Sequence, residues 1–336
     1  MRNVAIVGAG VSGLTCAVVL AERGYRVAIF AEETGSDSTS AAAGAIWYPY
    51  DAEPADKVIA WALETYKILV DLVCDKRSGV SMIDLRTFSR AGQIQIPQWA
   101  HALGARRLHA SSEATSSVAT GLRPVSDRAH HVRSNFPATF TSGFVLRVPL
   151  IDTTIHLDYL AKRFVVAGGE IKANVRLARL EDINRDFDLV VNCAGIGAKT
   201  LTNDSDLEPH RGQVAIVPKI ELSCAIVCDD APLMYAIPRA NDCVFGGTNE
   251  VSDDRNADPA ATLRILAECS RVLNIDQPKV LAERVGLRPF RKSGVRLESA
   301  RLGDGRSLIH NYGHGGSGFT LSWGCAYEVF ELARNL

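Results

Sequence analysis

Residues Asn3 to Val7 form a short apolar run, and after a glycine-rich turn Leu14 to Arg23 is made of helix-forming residues that stop at Gly24. Arg26 to Phe30 reads as a second strand. A strand, a helix and a strand within about 30 residues close as parallel neighbours through a right-handed crossover, so an α/β sheet begins at the start of the chain. Between Ala55 and Leu72 apolar positions recur at helical spacing (Val58, Trp61, Ala62, Tyr66, Leu69, then Val73), which predicts an amphipathic helix outside that opening unit. From Gly104 to Asn135 the chain is rich in Ser, Ala, Arg and His with little periodicity. Asp186 to Asn192 is a short buried strand followed by a second glycine turn, Ala194-Gly195-Ile196-Gly197. Between Gln213 and Gly247 the runs VAIVP, CAIVC, YAIP and CVFGG alternate with turn residues, the pattern of an antiparallel sheet. Phe319 to Asn335 has the composition of a terminal helix, preceded by the dense glycines of Gly313 to Gly318.

A chain of 336 residues corresponds to two domains or to one large domain with an insertion. With 47% hydrophobic and 22% charged residues, disordered, collagen-like and coiled-coil classes fall away. A net charge of −1 lacks the long-range field on which nucleic-acid and anionic-membrane binders rely, so neither partner is expected and a small molecule is. No run of 18 apolar residues occurs, and the N-terminal run, interrupted by Gly8, Gly10 and Gly13 and followed by Glu22 and Arg23, is unlike a cleavable signal. The C-terminal Arg334-Asn335-Leu336 is not the Ser-Lys-Leu peroxisomal address, and a cytoplasmic protein is expected. Eight cysteines without a CxxC pair suit reduced, buried thiols.

Chemistry concentrates in four segments. Gly8-Ala9-Gly10-Val11-Ser12-Gly13 follows a strand and opens a helix, where glycines allow a tight turn and close approach to a pyrophosphate and the helix N-terminus offers unpaired N–H groups. Glu32, 19 residues after Gly13, stands where an acidic side chain accepts hydrogen bonds from ribose hydroxyls. This predicts dinucleotide binding without separating NAD from FAD. Ser38-Thr39-Ser40 precedes Ala41-Ala42-Ala43-Gly44-Ala45-Ile46-Trp47-Tyr48-Pro49-Tyr50, a hydroxyl run before small residues and aromatics. In Val285-Gly286-Leu287-Arg288-Pro289-Phe290-Arg291 an arginine sits inside an apolar segment; burial demands an anion, which a protein carboxylate or a substrate would provide equally well. In the fourth segment His310 and His314 are four apart, but Gly313, Gly315, Gly316 and Gly318 preclude the helix that a metal-binding pair at this spacing needs. Those glycines let backbone touch a ligand directly before a helix N-terminus.

Taken together, IHNYGHGGSGFTLSWGCA, VGLRPFRKSGVRLE, MYAIPR with FGGT, RGQ at Arg211 to Gln213, and AGAIWYPY resemble the D-amino-acid oxidase family of flavoenzymes through most of the chain. The resemblance implies an α/β chain with a discontinuous Rossmann-type domain holding FAD noncovalently (1–54, 140–205 and 285–336) and an antiparallel-sheet substrate and interface domain (55–139 and 206–284). It assigns the pyrophosphate to Gly8, Ala9, Gly10, Val11, Ser12 and Gly13, the ribose to Glu32, and the phosphates and nearby polar atoms to Ser38, Thr39 and Ser40. Ala45 and Ile46 would lie against the isoalloxazine, Thr320 would hydrogen-bond the flavin, and Val175, Gly195, Gly313, Gly315 and Gly318 would complete the cofactor site. Arg288 would pair with the substrate α-carboxylate, Tyr235 would assist it, and the Gly316 carbonyl would accept from the amine, with Asn249, Tyr48 and Ser317 lining the side-chain pocket.

The implied reaction is oxidative deamination of D-amino acids to 2-oxo acids, ammonia and hydrogen peroxide, by hydride transfer from Cα to flavin N5 with O2 as the final acceptor. Two anchors on the substrate would orient its Cα–H, and the terminal helix N-terminus would favour charge on the reduced ring. A homodimer is a further family expectation. Two departures bear on substrate. Asn249 is a neutral amide where D-aspartate oxidases carry arginine, which favours neutral D-amino acids and leaves Arg239 or Arg291 as the remaining candidates for a counter-charge. The segment before Tyr235 is reduced to Ala231-Pro232-Leu233-Met234 where mammalian members carry a lid. Alternatives are a D-aspartate oxidase, a glycine or sarcosine oxidase-type enzyme, a nicotinamide dehydrogenase, or a redox-inactive FAD-binding module.

Overall fold

The computed structural model describes residues 2–50, 52–108 and 139–336, so most of the unpatterned stretch between Gly104 and Asn135 lies outside the described residues. The elements of the first half are β1 (Asn3–Val7), α1 (Val11–Ala21), β2 (Arg26–Ala31), α2 (Ala55–Leu72), β3 (Val80–Ser89), α3 (Gln98–Ala102), β4 (Arg106–Leu108), β5 (Ser142–Ile151) and α4 (Thr153–Val166). They are followed by β6 (Glu170–Ala173), β7 (Leu189–Asn192), α5 (Ala198–Leu201), β8 (Leu207–Pro218), β9 (Cys224–Cys228), β10 (Met234–Pro238), β11 (Asp242–Gly246) and β12 (Glu250–Val251). α6 (Pro259–Leu273), β13 (Ala282–Arg291), β14 (Arg296–Arg301), β15 (Ser307–Tyr312) and α7 (Gly318–Arg334) complete the order.

Six strands form one sheet in the order β14-β15-β7-β1-β2-β6, parallel except for the β14-β15 pair. β1 lies between β2 and β7, and its Val4, Ala5 and Ile6 have no exposed surface, the continuous apolar run of a strand covered on both faces. α1 is apolar nearly all round because it is enclosed by the sheet, α4 and α7. The second sheet runs β12-β8-β11-β10-β9-β3-β5-β4, with β13 on the other edge of β8, and is antiparallel except where β3 meets β9. Pro289 has no N–H to donate and stands on β13, an edge strand that pairs with β8 alone. One apolar cluster runs from Val4 and Ile6 through Trp61 and Trp323 to Leu85, Leu146 and Val214, so the two sheets share a core. Among the described residues no helix is long and apolar enough to cross a membrane.

Two strands pair otherwise than the expected boundaries have them. The boundaries at 140 and 285 put β5 and most of β13 with the parallel sheet, whereas β5 pairs with β3 and β13 pairs with β8 in the antiparallel sheet. β5 is buried along most of its length, and its partner was unreadable because a strand's pairing is a nonlocal choice. α2 lies along α7: Trp61 Nε1 donates to Glu328 Oε2 at 2.5 Å and Gly324 N to Thr65 Oγ1 at 3.0 Å.

The Arg211-Gly212-Gln213 motif has a structural use at both ends. Arg211 donates to the Asp254 and Asn256 carbonyls at 3.0 and 2.6 Å and to Gln213 Oε1 at 2.7 Å. Gln213 Nε2 donates to the Asp258 carbonyl at 2.9 Å and to Thr262 Oγ1 at 2.7 Å, and its Oε1 also accepts from Asp258 N at 2.8 Å. These buried bonds fasten the start of α6, capped by Asp258, onto β8. A Gln213→Leu variant leaves several of those groups unpaired in a dry site, and its unfolding free energy in a denaturant titration is expected to fall by about 2–4 kcal/mol.

Candidate active site

The turn after β1 is possible only with glycine at two positions. Gly8 has φ +106°, and a Cβ there would stand 2.4 Å from the Cys193 carbonyl oxygen; a Cβ on Gly13 would stand 1.9 Å from the Gly8 carbonyl oxygen. Without those atoms α1 starts hard against the ends of β1 and β7, and the N–H groups of its first turn, which have no intrahelical acceptor, border a cavity lined by Gly8 to Ser12. Val11 N donates to Ser40 Oγ at 3.0 Å, tying the hydroxyl run to this helix start.

The cavity measures about 1040 Å³, at the upper end of small-molecule sites. Of the expected cofactor residues it brings together Gly8, Ala9, Gly10, Val11, Ser12, Glu32, Ser38, Thr39, Ser40, Ala45, Ile46, Val175, Gly195, Gly315, Gly318 and Thr320. The expected substrate residues Tyr48, Tyr235, Asn249, Arg288 and Gly316 line it too. Ala45 sits at φ +49°, a left-handed backbone uncommon for a residue with a side chain, fixed by Ile151 N donating to its carbonyl at 3.0 Å.

Three expected residues do not reach the cavity. Gly13 is consumed by the crossing of α1 over the turn, and a Cβ on Gly313 would meet the Arg291 side chain at 2.9 Å. Ser317 is fully buried: its Oγ accepts from Tyr50 N at 2.8 Å and donates to the Tyr50 carbonyl. Thr320 Oγ1 makes the same pair of bonds to Tyr48, accepting from its N at 3.2 Å and donating to its carbonyl at 3.0 Å. The two hydroxyls at the start of α7 therefore hold the Tyr48-Pro49-Tyr50 backbone, and Ser317 places Tyr50 rather than facing the cavity.

At the far end, β13 presents Arg288. Its Nη1 donates to the Thr248 carbonyl at 3.1 Å and lies 3.5 Å from Asn249 Oδ1, and no described carboxylate pairs with it. The guanidinium rests on Gly212, where a Cβ would come within 2.3 Å of both terminal nitrogens. Burial pushes the Tyr235 phenol up, an effect the Arg288 charge partly offsets. The other two arginines considered as counter-charges are committed elsewhere: Arg291 Nε donates to Asp204 at 2.8 Å, and Arg239 pairs with Asp242 at 2.6 and 2.8 Å; neither lines the cavity.

The structure adds cavity residues that motif reading did not select. Arg176 lies 3.5 Å from Glu32, and Arg255 pairs with Glu33 across the cavity from the loop after β12. Asn311 and His314 also line it, with His314 Nε2 3.0 Å from Asn311 Oδ1 and Asn311 Nδ2 donating to Cys16 Sγ at 3.2 Å. Asp229 stands at the rim, and Tyr48 is pushed up to about 12 by burial and, secondarily, by the Asp229 charge. Asp229 was readable in principle, since alternation along β9 puts it on the face of Val227, the partner of Tyr235.

A glycine-bounded helix start lies at one end and an arginine without a described carboxylate at the other, an arrangement suited to a dinucleotide and a small anion. A family model described as FAD dependent oxidoreductase matches residues 3–332, and the chain belongs to that family. It is 36% identical over 335 residues to a D-amino-acid oxidase of Rubrobacter xylanophilus, covering 98% of this chain and 94% of that one. It is likewise 36% identical over 337 residues to a D-amino-acid oxidase of Streptomyces coelicolor, covering 98% and 96%. Its fold matches that of the solved glycine oxidase from Geobacillus kaustophilus with a TM-score of 0.78 at 17% identity, over 100% of this chain and 95% of that one. The cofactor is FAD, and the glycine cradle, Glu32 and the start of α1 at the cavity fit such a group.

Burial holds His156 and His314 down to about 4 from an ordinary value of 6.5. Between those values the unfolded chain binds the more protons, so stability is complete above pH 6.5 and declines as the pH falls toward 4. Each group contributes a slope of about 1.4 kcal/mol per pH unit, and denaturant titrations of His314→Gln across that window are expected to show a shallower dependence than the parent.

Proposed function

We propose that this protein oxidises D-amino acids with neutral rather than acidic side chains to 2-oxo acids and ammonia, with O2 as final acceptor and hydrogen peroxide as its product. The observation that carries the reading is Arg288, a cation facing the cofactor cavity with no described carboxylate beside it. Its planar fork suits an α-carboxylate, and the Tyr235 hydroxyl adds a donor. Gly316 adjoins Arg288, since a Cβ there would stand 3.8 Å from Arg288 Cδ, and its carbonyl is assigned to the substrate amine. With carboxylate and amine fixed, only one enantiomer turns its Cα–H toward the cofactor side of the cavity, and orientation supplies much of the rate.

The chemistry that FAD supplies when bound is acceptance of two electrons, which O2 then removes. The substrate loses two electrons and two protons, water adds to the resulting imine, and ammonia leaves. No acid or base side chain is required. Among the described residues an acidic side chain meets no spare cation, because Arg176 and Arg255 pair with Glu32 and Glu33, Arg291 with Asp204, and Arg239 with Asp242.

Arg288→Ala removes a bidentate charged partner and is expected to lower kcat/KM for D-alanine about a hundredfold or more while FAD stays bound. An unchanged kcat/KM would overturn the assignment. Gly212→Ala pushes a methyl group into the guanidinium, and is expected to reduce kcat/KM about tenfold through KM, with the denaturation midpoint little changed because the displaced atoms end a flexible side chain.

A further inference from the structure

We infer that Arg255 and Glu33 form a clasp over the adenosine end of the cofactor cavity, and that FAD enters and leaves only while this clasp is open. The inference needs FAD as the cofactor but not the assignment of Arg288 to a substrate. Glu32, assigned to the ribose, and Glu33 follow β2, and with Val175 and Arg176 after β6 they line this end from the parallel sheet. Asp253 and Arg255 line it from the opposite side, on the loop after β12. Arg255 Nη1 pairs with Glu33 Oε1, an ion pair between residues 222 positions apart that joins the two walls. Arg176, the other arginine lining this end, lies against Glu32, so the described ion-pair partner of Glu33 is Arg255.

The loop is built to present that side chain. It leaves β12, which pairs with β8 (Glu250 opposite Arg211, Val251 opposite His210), and Ser252 N donates to the Pro209 carbonyl at 3.1 Å. The Arg211 guanidinium holds the carbonyls on either side of Arg255, those of Asp254 and Asn256, at 3.0 and 2.6 Å, and Arg211 is itself only 4% exposed. The Asp254 carboxylate accepts from Asn256 N at 2.9 Å and from Asn256 Nδ2 at 2.8 Å, closing the turn that carries Arg255. The root of Arg255 is therefore pinned while its long side chain can swing away from Glu33. In this way the Arg211-Gly212-Gln213 motif reaches the cofactor end, although Arg211 does not line the cavity. The Arg255 and Glu33 side chains are 53% and 38% exposed, so water competes for the pair and the clasp slows passage rather than blocking it.

The test follows flavin fluorescence as FAD binds apoprotein and as it leaves diluted holoprotein, for the parent, Arg255→Ala, Arg255→Lys, Glu33→Gln and the Arg255→Ala/Glu33→Gln double variant. Each of Arg255→Ala and Glu33→Gln is expected to speed both association and dissociation about twofold to sixfold, the range set by an exposed ion pair, with Kd little changed. The double variant is expected to be no faster than the faster single one, and Arg255→Lys to stay close to the parent. The difference between the parent and Arg255→Ala is expected to shrink at high salt. Equal rates in the parent and Arg255→Ala, or additive effects in the double variant, would overturn the inference. Faster release without faster binding would make Arg255 a direct contact of FAD and overturn the clasp. Denaturation midpoints of the apoproteins are expected to agree, and a fall in Glu33→Gln would assign the pair to the fold instead. No substrate enters these measurements, so they decide on Arg255 whether or not the protein oxidises D-amino acids.

Discussion

The far end of the cavity turns on one guanidinium that no described carboxylate neutralises. Arg288 comes from an edge strand, and its charge faces a cavity in which no described carboxylate answers it. Such a group is tolerated when backbone acceptors and a ligand complete its bonding; here the Thr248 carbonyl supplies one bond, Asn249 Oδ1 lies 3.5 Å from the same nitrogen, and the residue lines the cavity. The residues flanking Gly212 fasten the strand beneath. Arg211 and Gln213 spend their side chains on the α6 start, and Gly212 between them clears the floor on which the guanidinium lies.

A second constraint joins the two ends of the cavity. The cofactor end is built by β1, α1 and β7 of the parallel sheet and the substrate end by β8, β10 and β13 of the antiparallel one, so their separation must be held by elements that touch both. The start of α7 is one: Ser317 and Thr320 grip the Tyr48 to Tyr50 backbone while Gly315 and Gly316 line the cavity between the ends. The shared apolar cluster is the other, because close-packed interiors transmit displacement rather than absorb it.

The sequence was most legible where local chemistry decides the structure. The opening strand, helix and strand, the amphipathic helix at Ala55–Leu72 and the strands between Gln213 and Gly247 lie close to their expected places, because periodicity and glycine placement act over a few residues. The start of α6 carried an equally local signal in Asp258-Pro259, a cap followed by a proline at the first helical position. What local pattern did not convey was pairing: β5 and β13 join the antiparallel sheet through partners far away in the chain. Ser317 shows the same limit at one residue. A serine within a glycine run before a helix reads as a ligand contact, and only the approach of Tyr50 in three dimensions turns its hydroxyl away. The pairing of Arg291 with Asp204 is likewise nonlocal, and it settles which of the two arginines in one short segment faces the cavity.

The central claim is that Arg288, Tyr235 and Gly316 orient one enantiomer of an amino acid in a cavity built for FAD. The measurement that tests it most directly is peroxide formation and oxygen consumption by the purified FAD-bound protein with paired D- and L-amino acids. The account predicts equimolar peroxide and 2-oxo acid from D-alanine and none from L-alanine. Activity confined to the L series, or none with any D-amino acid, would contradict it.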